Sequence, residues 1–156
     1  MAAKRSAGLL VYRRGANGGL EVLIAHMGGP FWANKDDRAW SIPKGEYEGD
    51  EEPLAAARRE FEEEMGSPPP SGEVIGLGEQ RQPSGKIIIS YAVEGDFDLA
   101  GFQSNAFALE WPPGSGRVQE FPEMDRAAWM TAERAAEKLV KGQVPILAAL
   151  RAHLGH

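Results

Sequence analysis

The sequence contains no cysteine among its 156 residues. That absence excludes disulfide bonds, thiolate catalysis and cysteine-ligated metals. The sequence also lacks an apolar run that approaches the roughly 20 residues needed to cross a membrane. The basic N-terminal segment passes directly into a predicted strand, without a separate apolar stretch and cleavage site, so no signal peptide is predicted. We therefore expect a soluble cytoplasmic protein that does not interact with membranes.

Positively charged residues are also fewer than negatively charged ones. The formal net charge is −6, and no basic stripe with interleaved aromatic residues is visible, so nucleic acid is not an expected partner. An acidic protein that acts on a phosphorylated small molecule must supply its cations locally, as bound Mg²⁺ or as a few placed lysines and arginines.

The chain has the length of one domain, which we expect to comprise residues 1–156. Four segments have the apolar, β-branched character of strands: 6–13, 20–26, 73–78 and 86–93. Near the C-terminus, Thr131 is placed to cap a helix that runs to about Val140, and Pro145 opens a second helical stretch. Strands before, between and after helices predict a mixed α/β domain.

One further predicted helix carries a cluster of glutamates. Pro53 favours a first helical turn, and Gly66, followed by a serine and three prolines, prevents continuation. Between these ends, Glu60, Glu63 and Glu64 lie at spacings of three and four residues, which places them together beside the apolar stripe of the helix.

Clustered like charges destabilise an isolated helix, so this arrangement calls for a compensating cation. Hard divalent ions such as Mg²⁺ take oxygen ligands, typically a few carboxylates with waters and substrate phosphates. For the acids taken alone, a solvated acidic helix face is the alternative interpretation.

Residues around the cluster extend the pattern. Every charged and glycine position of the Nudix box, Gly-x5-Glu-x7-Arg-Glu-U-x-Glu-Glu-x-Gly-U with U a bulky apolar residue, is present as Gly45, Glu51, Arg59, Glu60, Glu63, Glu64 and Gly66. Phe61 fills the first U position, whereas Ser67 replaces the second and Asp50 replaces the glycine before Glu51. The chain resembles a Nudix hydrolase over roughly residues 6–150.

The resemblance implies a Nudix fold, a mixed β-sheet sandwiched between α-helices, and hydrolysis of a phosphoanhydride bond. It implies that Glu60, Glu63 and Glu64 hold the metal together with the carbonyl of Lys44. The expected ion is Mg²⁺, for which Mn²⁺ can substitute. Arg59 is expected to orient the acids by ion pairing. The resemblance leaves open whether the protein is a monomer or a homodimer.

The general base stays open between a box glutamate and a glutamate further along the chain. Residues 105–129 contain Pro112-Pro113 and a Gly-Ser-Gly segment, which are typical of an irregular connection. Long loops in compact domains are often functional. This segment supplies Glu120, Glu123 and Glu110, in that order of preference.

The substrate is indicated only indirectly. The sequence Pro43-Lys44-Gly45 resembles the Nudix branch that hydrolyses dinucleoside polyphosphates. Lys44 is therefore a candidate phosphate contact, and Arg81 and Lys86 are further candidates. For all three, an ordinary surface position is the alternative.

The expected partner is a small-molecule nucleotide or polyphosphate, and three hypotheses follow for what the protein does with it. The first, which is preferred, is a hydrolase of a nucleoside diphosphate linked to another moiety, with a dinucleoside polyphosphate as the expected substrate. The second is a nucleoside or deoxynucleoside triphosphate pyrophosphohydrolase with a housecleaning role, and the third is a nucleotide-sensing module without activity. Candidates for stacking on a base are Phe31, Trp32 and Trp111.

Overall fold

The computed structural model describes residues 4–155, which form nine strands and three α-helices. The strands are β1 (Arg5–Arg14), β2 (Leu20–Met27), β3 (Trp40–Ser41), β4 (Lys44–Glu46), β5 (Val74–Arg81), β6 (Ile87–Glu94), β7 (Ala106–Glu110), β8 (Val118–Pro122) and β9 (Met124–Thr131). The helices are α1 (Pro53–Met65), α2 (Ala132–Lys138) and α3 (Val144–Leu154). Among the described residues, none of the helices has both the length and the apolar character that a membrane crossing requires.

The main sheet is mixed. Its strand order is β3-β2-β1-β6-β5, with β4 also paired to β1 and β9 paired to β2. Strands β1 and β6 run parallel, and the other pairs are antiparallel. Strands β7 and β8 form a separate antiparallel hairpin.

Helices cover both faces of this sheet. Successive side chains of a strand point to opposite faces, and the two halves of the core follow this rule in β1. Leu9 packs with Phe61 of α1, whereas Leu10 packs in the other half of the core with Ile146 of α3. The predicted fold, a mixed sheet between helices, is therefore confirmed.

The predicted helices agree well with the structure. Helix α1 has the predicted start and end, and Gly66 closes it in the left-handed conformation at φ 87° although Ser67 departs from the box. The Thr131 side chain caps α2 by accepting a hydrogen bond from the Arg134 amide at 3.2 Å. Helix α2 ends at Lys138, slightly earlier than predicted.

The expectation of an irregular connection over residues 105–129 is wrong. The segment contains the β7–β8 hairpin and most of β9, which pairs with β2 over Glu21–Met27. Strand β9 was missed because its sequence, MDRAAWMT, has two adjacent charged residues and two alanines and little β propensity. Strands β3 and β4 were missed because they have only two and three residues.

Candidate active site

The ends of α1 determine where the box glutamates lie. The Glu52 carboxylate accepts hydrogen bonds from the amides of Leu54 and Ala55, at 3.1 and 3.0 Å, and so caps the free N–H groups of the first turn. Phe61 and Met65 are fully buried on the face that packs against the sheet. The cap and the buried face together fix the rotation of the helix, so its acids point toward β4.

A close approach between α1 and β4 accounts for the first glycine of the box. A side chain at Gly45 would place its Cβ 2.1 Å from the Cδ and Oε2 atoms of Glu60. No residue other than glycine fits there without displacing the carboxylate. The Glu60 carboxylate therefore lies directly on the backbone of β4.

Arg59 is the centre of an ion-pair network. Its guanidinium donates to both carboxylate oxygens of Glu51, at 2.9 and 3.0 Å. It also donates to Oε1 of Glu60 at 2.8 Å and to Oε1 of Glu63 at 3.2 Å. The hydrogen bonds to Glu51 are the main cause that raises the pKa of Arg59, and in turn they lower the pKa of Glu51. This geometry agrees with a role for Arg59 in orienting the acids.

Glu64 is the most deeply placed acid of the cluster. Its residue is 7% exposed, and Oε1 accepts a hydrogen bond from the Lys44 amide at 3.3 Å. Burial raises the pKa of Glu64 to about 8, and burial also raises the pKa of Glu60, against the opposing effect of Arg59. Both carboxylates would therefore be stabilised in their charged form by an additional cation.

The chemistry of this donor set fits a hard divalent ion. Within residues 4–155, no three acidic or histidine side chains already surround a common point as a formed metal site. Instead, Arg59 donates hydrogen bonds to both Glu60 and Glu63, and the Glu64 carboxylate accepts one from the Lys44 amide. The hydrogen bonds from Arg59 use only the Oε1 atoms of Glu60 and Glu63, so they do not occupy the Oε2 atoms.

A fourth acid joins the cluster from a distant part of the sequence. The negative charge of Glu123 contributes to the raised pKa of both Glu60 and Glu64. Backbone hydrogen bonds hold it there: the Asn105 amide donates to the Glu63 carbonyl at 2.9 Å, and the Glu123 amide donates to the Asn105 carbonyl at 2.7 Å. Glu123 thus lies beside the box glutamates although it is far from them in the chain.

These acids line a large cleft. Its volume is about 1060 Å³, at the upper limit of the roughly 300–1,000 Å³ typical of small-molecule sites. Of the predicted substrate contacts, Lys44, Lys86 and Trp32 line it.

Other predicted residues lie away from the cleft lining. The Arg81 guanidinium donates to the Gly85 carbonyl, within its own hairpin turn, at 3.2 Å. Glu120 is exposed on β8, and Glu110 accepts a hydrogen bond from the Gly114 amide at the tip of the β7–β8 hairpin. Phe31 is 64% exposed, and Trp111 belongs to the same hairpin tip.

Sequence reasoning missed several residues of the cleft wall. They are Gln82, Asn105, Phe107 and Lys141. Each belongs to a different turn or strand, and no shared motif or spacing connects them. Only their proximity in the folded chain identifies them.

Removal of divalent ions is expected to make the stability of the protein depend on pH through Glu64. Its folded pKa of about 8 lies above the ordinary value of 4.5, so the folded state binds the proton more tightly than the unfolded state. The contribution of the protonated acid to the free energy of unfolding is fully present below pH 4.5 and is lost as the pH rises toward 8. One pKa unit corresponds to about 1.4 kcal/mol, so the loss should exceed about 1 kcal/mol.

Urea denaturation in EDTA between pH 5 and pH 8.5 measures this loss. The Glu64→Gln variant serves as the control, because it cannot titrate at this position and should show a flatter profile. Equal pH profiles for the two proteins would contradict the assignment of the effect to Glu64.

The comparisons with known proteins agree with this geometry. The chain matches the NUDIX domain family over residues 3–150 and therefore belongs to the Nudix family. With its complete box of acids, it is a pyrophosphohydrolase acting on acid anhydrides. A comparison with curated proteins finds no match.

Three solved structures show the same fold. An Ap4A hydrolase from C. elegans, in a binary complex, is 20% identical with a TM-score of 0.62, and the alignment covers 96% of this chain and 98% of that one. The NUDIX domain of NrtR from Shewanella oneidensis, complexed with ADP ribose, is 16% identical with a TM-score of 0.62, covering 99% and 90%. A MutT protein from Methanosarcina mazei Go1 is 17% identical with a TM-score of 0.62, covering 99% and 96%.

Proposed function

We propose that this protein is a cytoplasmic, Mg²⁺-dependent hydrolase of dinucleoside polyphosphates. One observation carries the proposal: the same large cleft is lined by the acids Glu60, Glu63, Glu64 and Glu123 and by the lysines Lys44, Lys86 and Lys141. An elongated, highly charged substrate needs this combination, because a catalytic cation must act at one phosphate while other cations bind the rest of the chain. The structural similarity to an Ap4A hydrolase supports the same assignment.

Nudix hydrolases generally depend on divalent metals, and we propose Mg²⁺ for this chain. Glu60, Glu63 and Glu64 would hold it, with the carbonyl of Lys44 as a further ligand. When bound, the ion neutralises phosphate charge and polarises the scissile bond. The burial of Glu64 and the hard oxygen donors support this choice over a soft transition metal.

The protein's own residues then have distinct roles. Glu123 is the proposed general base, because it lies next to the box acids and lines the cleft, whereas Glu120 does not. It would accept the proton of the attacking water as the water approaches the phosphorus. Arg59 orients the carboxylates of Glu60 and Glu63 through its hydrogen bonds to both. The Lys44 ammonium would neutralise an adjacent phosphate oxygen.

Hydrolysis of nucleoside triphosphates is the second candidate, and the likeness to a MutT protein favours it. The same acids would serve both reactions. The preference between a dinucleoside polyphosphate and a nucleoside triphosphate would therefore depend on how much of the cleft each substrate fills. Trp32 lines the cleft and is the proposed stacking surface for a base.

We expect a dinucleoside tetraphosphate to be hydrolysed with a higher kcat/KM than nucleoside triphosphates, and Lys44→Ala to erode this preference. A charge-assisted contact is worth about 1.5–3 kcal/mol, so a loss of roughly tenfold or more is expected on the preferred substrate. A panel of nucleotides with Mg²⁺, with products resolved by mass in ¹⁸O-water, identifies both the substrate and the attacked phosphorus.

Arg81→Ala is the matched control, since it removes one positive charge outside the cleft lining. It should leave the ratio of the two kcat/KM values unchanged. Better turnover of triphosphates, or a ratio that Lys44→Ala does not alter, would replace the polyphosphate assignment with the triphosphate one. No turnover of any nucleotide would contradict both assignments.

A further inference from the structure

The cleft extends well beyond the acids and reaches the opposite helical layer of the protein. Besides α1, it is lined by the β5–β6 turn, including Gln82 and Lys86, and by the short 3₁₀ turn Lys141–Gln143 that precedes α3. A ligand attached at the acids by one phosphate therefore has a second wall available for its more distant groups.

The 3₁₀ turn is held rigidly against this wall. Gln143 is fully buried, and its side chain accepts a hydrogen bond from the Ile42 amide at 2.9 Å and donates one to Ser41 Oγ at 2.8 Å. The Gln82 side chain donates to the Gly142 carbonyl at 3.0 Å. On the other side of Lys141, the Val140 amide donates to the Trp40 carbonyl at 2.8 Å. Because the backbone is held on both sides of Lys141, little further ordering of the main chain is needed when a ligand binds there.

Lys141 is the one positively charged residue of this turn. Its side chain is exposed and lines the cleft. Among residues 4–155, no carboxylate lies within salt-bridge distance of its ammonium group. Two neighbouring lysines differ, since Lys86 is 3.5 Å from Glu46, and Lys138 is paired with Asp36 and with Asp37. Lys44, the proposed contact of the phosphate beside the acids, is the other lysine of the cleft lining. Lys141 thus has a charge that the protein itself does not neutralise, on the wall of the cleft that its turn forms.

We infer that Lys141 is a specificity-determining residue that binds a phosphate distant from the scissile bond and so favours substrates with longer phosphate chains. The inference rests on the proposed function in that the acids must hold the reacting phosphate. It goes further by assigning the opposite wall of the cleft to the remaining phosphates of the chain. The inference requires that a mononucleotide held at the acids place no phosphate at this wall, which the AMP titration below tests.

Calorimetric titration of three ligands tests the assignment: AMP and methylene-bridged, non-hydrolysable analogues of ATP and of diadenosine tetraphosphate. Lys141→Gln should weaken binding of the tetraphosphate analogue by about three- to fivefold, as expected for an exposed charge pair. Binding of AMP should not change. In turnover of the preferred substrate, Lys141→Gln should raise KM and leave kcat unaltered.

Arg134→Gln is the matched control, because Arg134 is exposed on α2 outside the cleft lining and its loss changes the net charge equally. The inference is overturned if Arg134→Gln weakens the tetraphosphate analogue as much, which would indicate a long-range charge effect. It is equally overturned if Lys141→Gln affects AMP and the longer analogues alike, or affects none of them. The substrate preference of the wild-type enzyme decides the proposed function separately, since the binding ratios do not depend on which ligand is cleaved.

Discussion

A Glu64→Gln variant is expected to fold and to lose turnover by several orders of magnitude. Glutamine has the size of glutamate and can still accept the hydrogen bond from the Lys44 amide, but it removes the charge that a divalent cation requires. Because burial already disfavours the ionised form of Glu64, the neutral amide should be at least as stable as the wild type in the absence of metal at pH 8. Steady-state kinetics at saturating Mg²⁺ and thermal denaturation in EDTA measure the two effects.

Glu62→Gln is the matched control for this experiment. Glu62 lies on the same helix and carries the same charge, but it is exposed and outside the cleft lining. Its substitution should leave kcat close to the wild-type value. Mg²⁺ should raise the melting temperature of the wild type and of Glu62→Gln by mass action, and this shift should shrink in Glu64→Gln. Near-normal turnover of Glu64→Gln at limiting Mg²⁺ would show that the metal is held elsewhere.

A Glu123→Gln variant should lose about 10²- to 10⁴-fold in kcat, the range typical of general acid–base catalysis. The reason is geometric: Glu123 lines the cleft, and its charge acts on Glu60 and Glu64. Its amide and carbonyl are held by Asn105 and Gly28 at 2.7 and 2.9 Å, so a change of the side chain should leave the backbone in place.

Glu120→Gln provides the comparison, since it removes the same charge from the neighbouring strand at an exposed position. The two variants should have similar melting temperatures and very different rates. If Glu120→Gln were the inactive variant, the order of preference derived from sequence would stand and the geometric assignment would fail.

The sequence predicted helix α1 and its acid cluster because the information is local. Proline at the start, glycine at the end and a 3.6-residue period are enough to place Glu60, Glu63 and Glu64 on one side. The strands β1, β2, β5 and β6 were predicted for the same reason, since long apolar runs bounded by turn residues leave few alternatives.

Weak local signals account for what was missed. Strand β9 has charged residues and alanines in its sequence and becomes a strand because β2 offers it a complete antiparallel partner. The interpretation of residues 105–129 as irregular relied on their prolines and glycines, and these lie in the tip of the β7–β8 hairpin. In β9, pairing with a distant segment overrides local propensity, whereas β7 and β8 are adjacent strands whose connecting turn holds the prolines and glycines.

The sequence by itself determined the Nudix family, the arrangement of three glutamates along α1 and the partners available to Arg59, because these depend on spacings within a few helical turns. Tertiary structure alone decided which downstream glutamate joins them. The link from Glu63 through Asn105 to Glu123 is made of backbone hydrogen bonds, which do not depend on side-chain identity and leave no motif in the sequence. The same holds for Lys141, whose position in the cleft follows from the packing of its turn against β3 and the β5–β6 turn.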